Sequence, residues 1–441
     1  MKQTFFGTDG IRAKIGQSPI THGDMTNMGN AIAQWALERY CNNPHIIIGS
    51  DTRESCDLIK AALKTGLLLH NVTLYDASVI PTPAIAALMQ QKKFDCGIMI
   101  TASHNPYQDN GIKIIDSKHG KLTKDDENKI TQLFFDVQTQ QTNCGSFGSD
   151  IFFQEAQNDY VAFVTNHFEK KMLDGLKIVV DCAHGATSGV AKTIFDRLGA
   201  TAIFINNKPN GKNINAHCGS LYPQGLQKAV LEHNAVAGFA FDGDGDRITA
   251  VNKNGKIKDG DDILALLLNN PTYEKQNKIV GTIITNQGFE QHLNNRGKKL
   301  IRTKVGDKFV ATAMRKDNLL LGGEPSGHIV LGNYLHISDG IFAALKIIET
   351  MKITKNWDME TFKKYPQALI NITVKEKKDL DAHPFTTIVA ENKSRLKNGR
   401  IIVRYSGTQK LLRVMVEEES HDIANEVCAQ LSNKLKIELC K

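Results

Sequence analysis

The sequence predicts three similar α/β domains with mixed sheets, followed by a smaller C-terminal α+β domain. Three observations predict it. Apolar runs of strand length alternate with amphipathic stretches of helix length. That alternation comes round three times, although the residues themselves do not repeat visibly. The residues after Gln367 break the rhythm, with strands grouped more closely.

In the first pass, His45–Gly49 (HIIIG) reads as a buried strand. Ser55–His70 has apolar residues at every third or fourth place and reads as a helix. Asn71–Ala77 is a second strand, Pro83–Gln91 a helix and Cys96–Ala102 a third strand. Strands separated by helices of this length need crossovers, hence a parallel or mixed sheet. The second pass has strands at Leu176–Gly185, Thr201–Asn206 and Ala235–Asp242, with a helix over Ser188–Ala200. The third has strands at Lys278–Asn286, Lys299–Val305 and Asn318–Glu324, with helices over Phe289–Gly297 and Asp307–Lys316. The last part has strands at Ala368–Glu376, Arg400–Gly407 and Lys410–Glu418, with helices after Asp379 and over His421–Leu435. Polar and turn-forming stretches at Gln138–Asp150, Val251–Lys256 and Lys363–Gln367 set the boundaries. The expected domains are 1–150, 151–252, 253–366 and 367–441.

Composition narrows the class. A chain of 441 residues, 41% hydrophobic and 23% charged, suits several globular cores. No apolar run is long enough for a membrane span, and MKQTFFGTDGIRAK lacks the apolar centre of a secretory signal. A cytoplasmic protein with no membrane partner is expected. The net charge of +7 is spread without a basic block, which speaks against a nucleic-acid partner and suits anionic small molecules. The eight cysteines form no CxxC pair, and Cys96 and Cys182 sit in strand-like runs as packing residues.

The chemistry is concentrated in two stretches. Asp242, Asp244 and Asp246 alternate with Gly243 and Gly245 directly after a strand. In an extended chain, side chains two apart lie roughly 7 Å from each other. Ligands sharing one magnesium ion lie about 2.1 Å from it, so the backbone must curl, which glycine permits. Carboxylates about 4 Å apart repel by roughly 4 kcal/mol at an effective dielectric of 20, unless a cation sits between them. An EF-hand is excluded, because Arg247 and Lys253 stand where its glycine and glutamate belong. Carboxylates leave open positions on a hexacoordinate ion, which a phosphate oxygen can fill. Ser103, in TASHNPYQDNGIKI, follows an apolar strand and precedes a run of turn formers. No GxSxG elbow surrounds it, so a hydrolase serine is unsupported. By itself Ser103 could be a nucleophile, a cap or a turn residue; beside DGDGD, phosphoryl transfer becomes the sharper reading.

TASHNP, DGDGDR, GEPSGH and RYSGT, in this order and spacing, resemble the α-D-phosphohexomutase superfamily. FFGTDGIR (Phe5–Arg12), PNGKNINAHCGS (Pro209–Ser220) and RYSGTQKLLRVMVE (Arg404–Glu417) resemble its bacterial phosphoglucosamine mutases most. The resemblance spans almost the whole chain. It implies four domains around a central cleft, carrying in order the phosphoserine, the metal, the sugar-recognition loop and a phosphate site. It implies an isomerase in which phosphorylated Ser103 interconverts glucosamine 6-phosphate and glucosamine 1-phosphate through a bound 1,6-bisphosphate, toward UDP-N-acetylglucosamine and the cell wall. The implied cofactors are magnesium, held by Ser103, Asp242, Asp244 and Asp246, and glucosamine or glucose 1,6-bisphosphate as intermediate or activator. Lys113 is implied as general acid/base, which requires a depressed pKa, with Arg12 and Arg247 supplying the positive surroundings. His328 is implied to assist proton transfer, and Glu324 and Ser326 to bind the sugar. Arg404, Ser406, Gly407, Thr408 and Arg413 are implied to hold the distal phosphate. The partner is a hexosamine phosphate, and the assembly a monomer or homodimer.

Ala13, Pro325 and Gln409–Lys410 depart from the subfamily pattern. Pro325 removes a backbone donor beside Glu324, which bears on the choice of sugar. Two alternatives stay open from the residues: a phosphomannomutase or phosphoglucomutase, and a non-catalytic metal-dependent sugar-phosphate binding protein.

Overall fold

The structure is a computed structural model and describes residues 5–118, 120–137, 146–405 and 410–440. The chain forms two compact units. One takes the residues up to Thr282 together with Thr303–Glu360, and the other takes Ile283–Arg302 with the residues from Thr361 onward. Three α/β regions and a smaller C-terminal α+β region make up the fold.

In the larger unit the first sheet runs in the order Ile11–Lys14, Asp109–Asp116, Cys96–Ile100, His45–Ser50, Thr73–Val79, Ser149–Phe152. Asp109–Asp116 is antiparallel to both its neighbours on this path, and the remaining pairs are parallel. Every residue of Cys96–Ile100 is buried, which is why it reads as an unbroken apolar run. Helix His22–Arg39 is capped by Thr21, whose hydroxyl accepts from the Asp24 N–H at 3.1 Å. It packs with Cys56–Leu67 and Lys124–Val137 over Ile46, Ile48, Ile98 and Ile100.

The second sheet runs Ile257–Lys258, Ile248–Asn252, Ala237–Phe241, Lys177–Asp181, Thr201–Ile205, antiparallel for its first two pairs and parallel for the rest. In the third, Lys278–Thr282 is parallel to Leu321–Gly323, which is antiparallel to Ile329–Leu331. One device therefore recurs. The loops 101–108, 242–247 and 324–328 each join two antiparallel neighbours, so each α/β region carries a chemical motif on a hairpin connection beside a buried strand.

Helices His22–Arg39 and Gly340–Thr354 were not singled out by periodicity. The second is buried on nearly every side, from Ile341 to Met351, so it has no polar stripe to give it away. Its N-cap, Asp339, accepts the Phe342 N–H and the Tyr160 and Tyr334 hydroxyls, each at 2.9 Å. Burial nevertheless pushes its carboxyl up from 3.8 to about 6. A raised folded value means that the folded state binds the proton more tightly. Asp339's stability contribution is thus full below pH 3.8 and is lost as pH rises through about 6. Between pH 4 and pH 7, unfolding free energies from denaturant titration should fall by about 2 kcal/mol more in the wild type than in Asp339→Asn. Parallel pH curves for the two proteins would remove Asp339 from the account.

The smaller unit has an antiparallel sheet with Leu411–Glu417 between Gln367–Thr373 and Arg400–Tyr405. Helices Phe385–Lys393 and His421–Cys440 cover it through Leu412, Val414, Val416, Val427 and Leu431. Buried Glu417 accepts from the Arg400 guanidinium at 2.5 Å and from the Gln287 N–H at 3.0 Å, and Arg400 also donates to the Ile283 carbonyl at 2.7 Å. These bonds tie Ile283–Arg302 to the sheet.

Candidate active site

Asp242, Asp244 and Asp246 leave the end of Ala237–Phe241 and are fully buried. The Gly245 N–H donates to the Asp242 carbonyl at 3.1 Å and curls the chain. Gly245 has φ +74°, where a side chain would be strained. A Cβ on Gly243 would come within 2.6 Å of the Ser103 carbonyl oxygen, so only glycine lets the two loops approach this closely. One oxygen from each of the three carboxylates lies within 4.8 Å of the others. Asp244 Oδ1 and Asp246 Oδ1 are buried and accept no hydrogen bond. Donors around a hard six-coordinate cation lie about 3 to 4 Å apart, so the group fits a metal cofactor held by oxygen. Burial and the two neighbouring acids hold the Asp242 carboxyl well above the usual range.

Ser103 lies against this group. Its hydroxyl donates to Asp242 Oδ2 at 2.6 Å and lies 3.3 Å from His104 Nδ1. It is fully buried at φ +52°, a conformation that costs a non-glycine residue on the order of 1 kcal/mol. His104 is pushed down to about 3 by burial and by Arg247, Arg12 and His328, so it is neutral at pH 7.

Lys113 comes from the next strand, Asp109–Asp116, and its ammonium sits 2.8 Å from Asp9, 2.8 Å from Asp244 and 2.5 Å from Asp246. Here the expectation of a depressed pKa is corrected. Burial does disfavour the ammonium, but Asp244, Asp246 and Asp9 outweigh it and the opposing Arg12, and Lys113 is held well above its ordinary value. Arg12 faces Asp9 at 3.0 Å. Asp9 also meets Lys121 at 2.5 Å, which continues to Asp307 at 2.8 Å.

Arg247 closes the acidic loop. Its N–H donates to Asp242 Oδ1 at 3.1 Å and its Nε–H to His328 Nε2 at 3.0 Å. His328 Nδ1 faces Ser338 Oγ at 3.0 Å, so the ring is fixed at both nitrogens. Glu324 is buried, accepts the Gly306 N–H at 2.7 Å through Oε1, and is raised chiefly by burial. Ser326 is exposed.

In the smaller unit, Arg404 and Arg413 face each other directly across two antiparallel strands. Burial and Arg413 both lower Arg404, and Arg413 Nε is buried without a hydrogen-bond partner. Two opposed cations repel, which an anion between them would relieve. Ser406, Gly407 and Thr408 lie outside the described residues.

The sequence reading did not single out Asp9, Thr82, Lys121 or Asp307. Thr82 donates its hydroxyl to Asp244. Asp9 sat in the quoted FFGTDGIR, where an acid between turn formers was the available signal; Lys121 and Asp307 carried none.

Family models described as phosphoglucomutase/phosphomannomutase alpha/beta/alpha domains I, II and III match residues 3–141, 158–255 and 259–369, and the corresponding C-terminal domain matches 369–434. A phosphoglucosamine mutase of Thermodesulfovibrio yellowstonii is 40% identical over 439 residues, 97% of each chain. One of Acinetobacter baumannii is 39% identical over 445 residues, 98% of each chain. A phosphoglucomutase/phosphomannomutase family protein from Burkholderia thailandensis has a similar structure, with TM-score 0.82, 21% identity and coverage of 98% and 97%. Aspergillus fumigatus N-acetylphosphoglucosamine mutase, solved with GlcNAc-6P and magnesium, superposes with TM-score 0.68 at 17% identity, covering 100% and 96%. Among the described residues no helix is long and apolar enough to cross a membrane.

Proposed function

The chain belongs to the phosphoglucosamine mutases of the α-D-phosphohexomutase superfamily, and on that premise we propose a residue-level account of how it interconverts glucosamine 6-phosphate and glucosamine 1-phosphate. It is an isomerase, an intramolecular phosphotransferase. The observation that carries the account is the 2.6 Å bond from the Ser103 hydroxyl to Asp242, a residue 139 positions away within a cation-ready trio of acids.

Phosphorylated Ser103 transfers its phosphoryl group to the C1 hydroxyl of glucosamine 6-phosphate. The phosphorus–Oγ bond breaks, a phosphorus–sugar oxygen bond forms, and the proton of the sugar hydroxyl passes by way of the acid/base to Ser103 Oγ. The bound 1,6-bisphosphate then presents its 6-phosphate, and Ser103 Oγ recovers a phosphoryl group as the C6 oxygen takes up a proton. Asp242, Asp244, Asp246 and a Ser103 phosphate oxygen would hold magnesium, which when bound offsets charge on the transferring group. Arg12 and Arg247 supply fixed positive charge to the same group. A cation held by Asp244 and Asp246 would offset the charge of two of the three carboxylates that face Lys113, so the ammonium would give up a proton more readily. That restores it as an acid/base, with His328 held ready by Arg247 and Ser338.

Glu324 has Oε2 available to accept from sugar hydroxyls, with Ser326 beside it. Arg404 and Arg413, with Ser406, Gly407 and Thr408, hold the phosphate that is not reacting; the mutual repulsion of the two arginines supports an anion there. On this reading the domains are 1–150, 151–252, 253–366 and 367–441, the setting is cytoplasmic, the assembly is a monomer or homodimer, and a 1,6-bisphosphate serves as intermediate or activator.

A substrate panel on protein of known Ser103 phosphorylation tests the sugar. The expected kcat/KM for glucosamine 6-phosphate exceeds that for glucose or mannose 6-phosphate by about 10-fold or more. Equal values would overturn the amino-sugar assignment and leave the mutase chemistry standing.

A further inference from the structure

Two sequence features have no part in the chemistry above: Arg53, and the PNGKNINAHCGS stretch that includes Asn215. The structure brings both onto the backbone of the serine loop. Arg53 is buried to 3% exposure, and all five of its guanidinium N–H groups are used. Nε donates to Asp51 at 2.9 Å. Nη1 donates to the Pro106 carbonyl and, at 2.9 Å, to the Asp109 carbonyl. Nη2 donates to the Ser103 carbonyl at 3.0 Å and the Asn105 carbonyl at 2.8 Å. From the second α/β region, Asn215 Nδ2 donates to the same Ser103 and Asn105 carbonyls, at 2.9 and 3.2 Å.

Asp51 extends the network to the other side of the serine. It accepts the Thr101 hydroxyl at 2.6 Å, and Thr101 Oγ1 accepts the Ser103 N–H at 2.8 Å. Both backbone polar groups of Ser103 are therefore bound by side chains, and the residue between them is held at φ +52°. An unfavourable backbone conformation persists only where its surroundings over-determine it, and here four side chains do so. Relaxing φ would swing Oγ away from Asp242, which it now meets at 2.6 Å.

We propose that Arg53 and Asn215 are positioning residues that clamp the Ser103 carbonyl from two α/β regions and so fix the direction in which Oγ, and the phosphate it carries, meets the acidic trio. The clamp touches neither sugar nor metal ligand side chains. Its loss slows phosphoryl transfer and leaves substrate and metal binding nearly intact. This inference rests on the proposed role of Ser103.

The test uses Arg53→Lys, which keeps the charge but cannot serve five acceptors, and Asn215→Ala, which removes the second arm. Single-turnover loss of phosphate from Ser103 to substrate, read by intact mass, is compared with KM, magnesium affinity by calorimetry and thermal midpoint. The expected result is a transfer rate lower by about 30-fold or more in Arg53→Lys and about 5-fold in Asn215→Ala, with KM and magnesium affinity within about 3-fold of wild type. A lowered thermal midpoint with unchanged transfer rate in the folded protein would mean a structural role only and overturns the proposal. If Arg53→Lys does not fold, Asn215→Ala decides alone. If the wild type itself shows no transfer from Ser103, the reading of Ser103 has failed, and amide exchange across residues 101–111 judges the clamp separately. Faster exchange in either variant supports it; unchanged exchange overturns it.

Discussion

Ser103→Ala is expected to abolish turnover, by on the order of 10⁴-fold or more, while the protein folds and binds substrate as before. The hydroxyl is the only group at this position that can carry the phosphate. Its removal leaves the buried Asp242 Oδ2 short of one donor, a cost of about 1 to 3 kcal/mol that leaves the fold intact. Ser103→Gly sharpens the test. Glycine relieves the strain of φ +52°, so this variant should be at least as stable as Ser103→Ala and equally inactive. Activity that tracked stability across the two variants, rather than the hydroxyl, would contradict a phosphate carrier at this position. The check is turnover with glucosamine 6-phosphate, alongside thermal unfolding and an intact-mass search for one added phosphate.

Asp242→Asn should separate stability from function. Asp242, Asp244 and Asp246 share one buried pocket, and the first is pushed up by burial and by the charges of the other two. An amide there removes one charge from the cluster. It can still accept the Arg247 N–H, now at 3.1 Å, and the Ser103 hydroxyl can turn to accept from its NH₂. In the presence of a chelator the variant should therefore be more stable than the wild type by about 1 kcal/mol. With magnesium the order should reverse, because the wild type gains binding energy that the variant has lost. Magnesium affinity should drop by about 10-fold or more and turnover by at least 100-fold. Chelation of the wild type should give the same loss of turnover, restored by magnesium. A variant less stable than the wild type in chelator would show that the carboxylate is needed for folding rather than for a cation.

The periodicity of apolar residues exposed the crossover strands and the helices that are half solvated, such as Cys56–Leu67, whose polar face survives in the sequence. It passed over Gly340–Thr354 for the opposite reason, since an all-round buried helix has no second face. The acidic trio was legible because three carboxylates with glycine spacers demand a cation and a curled chain, both properties of a local stretch. Lys113 was legible as a position but not in its charge state, which depends on Asp9, Asp244 and Asp246 arriving from elsewhere. Arg53 illustrates the general limit. Its five acceptors are backbone carbonyls and one carboxylate, and a carbonyl looks the same in every residue, so nothing in the spelling of DTRES marks the bonds it makes. A resemblance carried by short motifs cannot supply such bonds either, because Arg53 itself lies outside the motifs.

The most direct measurement is a pulse-chase on the serine itself. Protein carrying a radiolabelled phosphate on Ser103 is mixed with unlabelled glucosamine 6-phosphate for a single turnover, then quenched and separated. The label should leave the protein and appear in hexosamine bisphosphate and glucosamine 1-phosphate, at a rate no slower than steady-state turnover. Label that stays on Ser103 while product accumulates would mean the phosphate travels by another route, and the serine that meets Asp242 would not be its carrier.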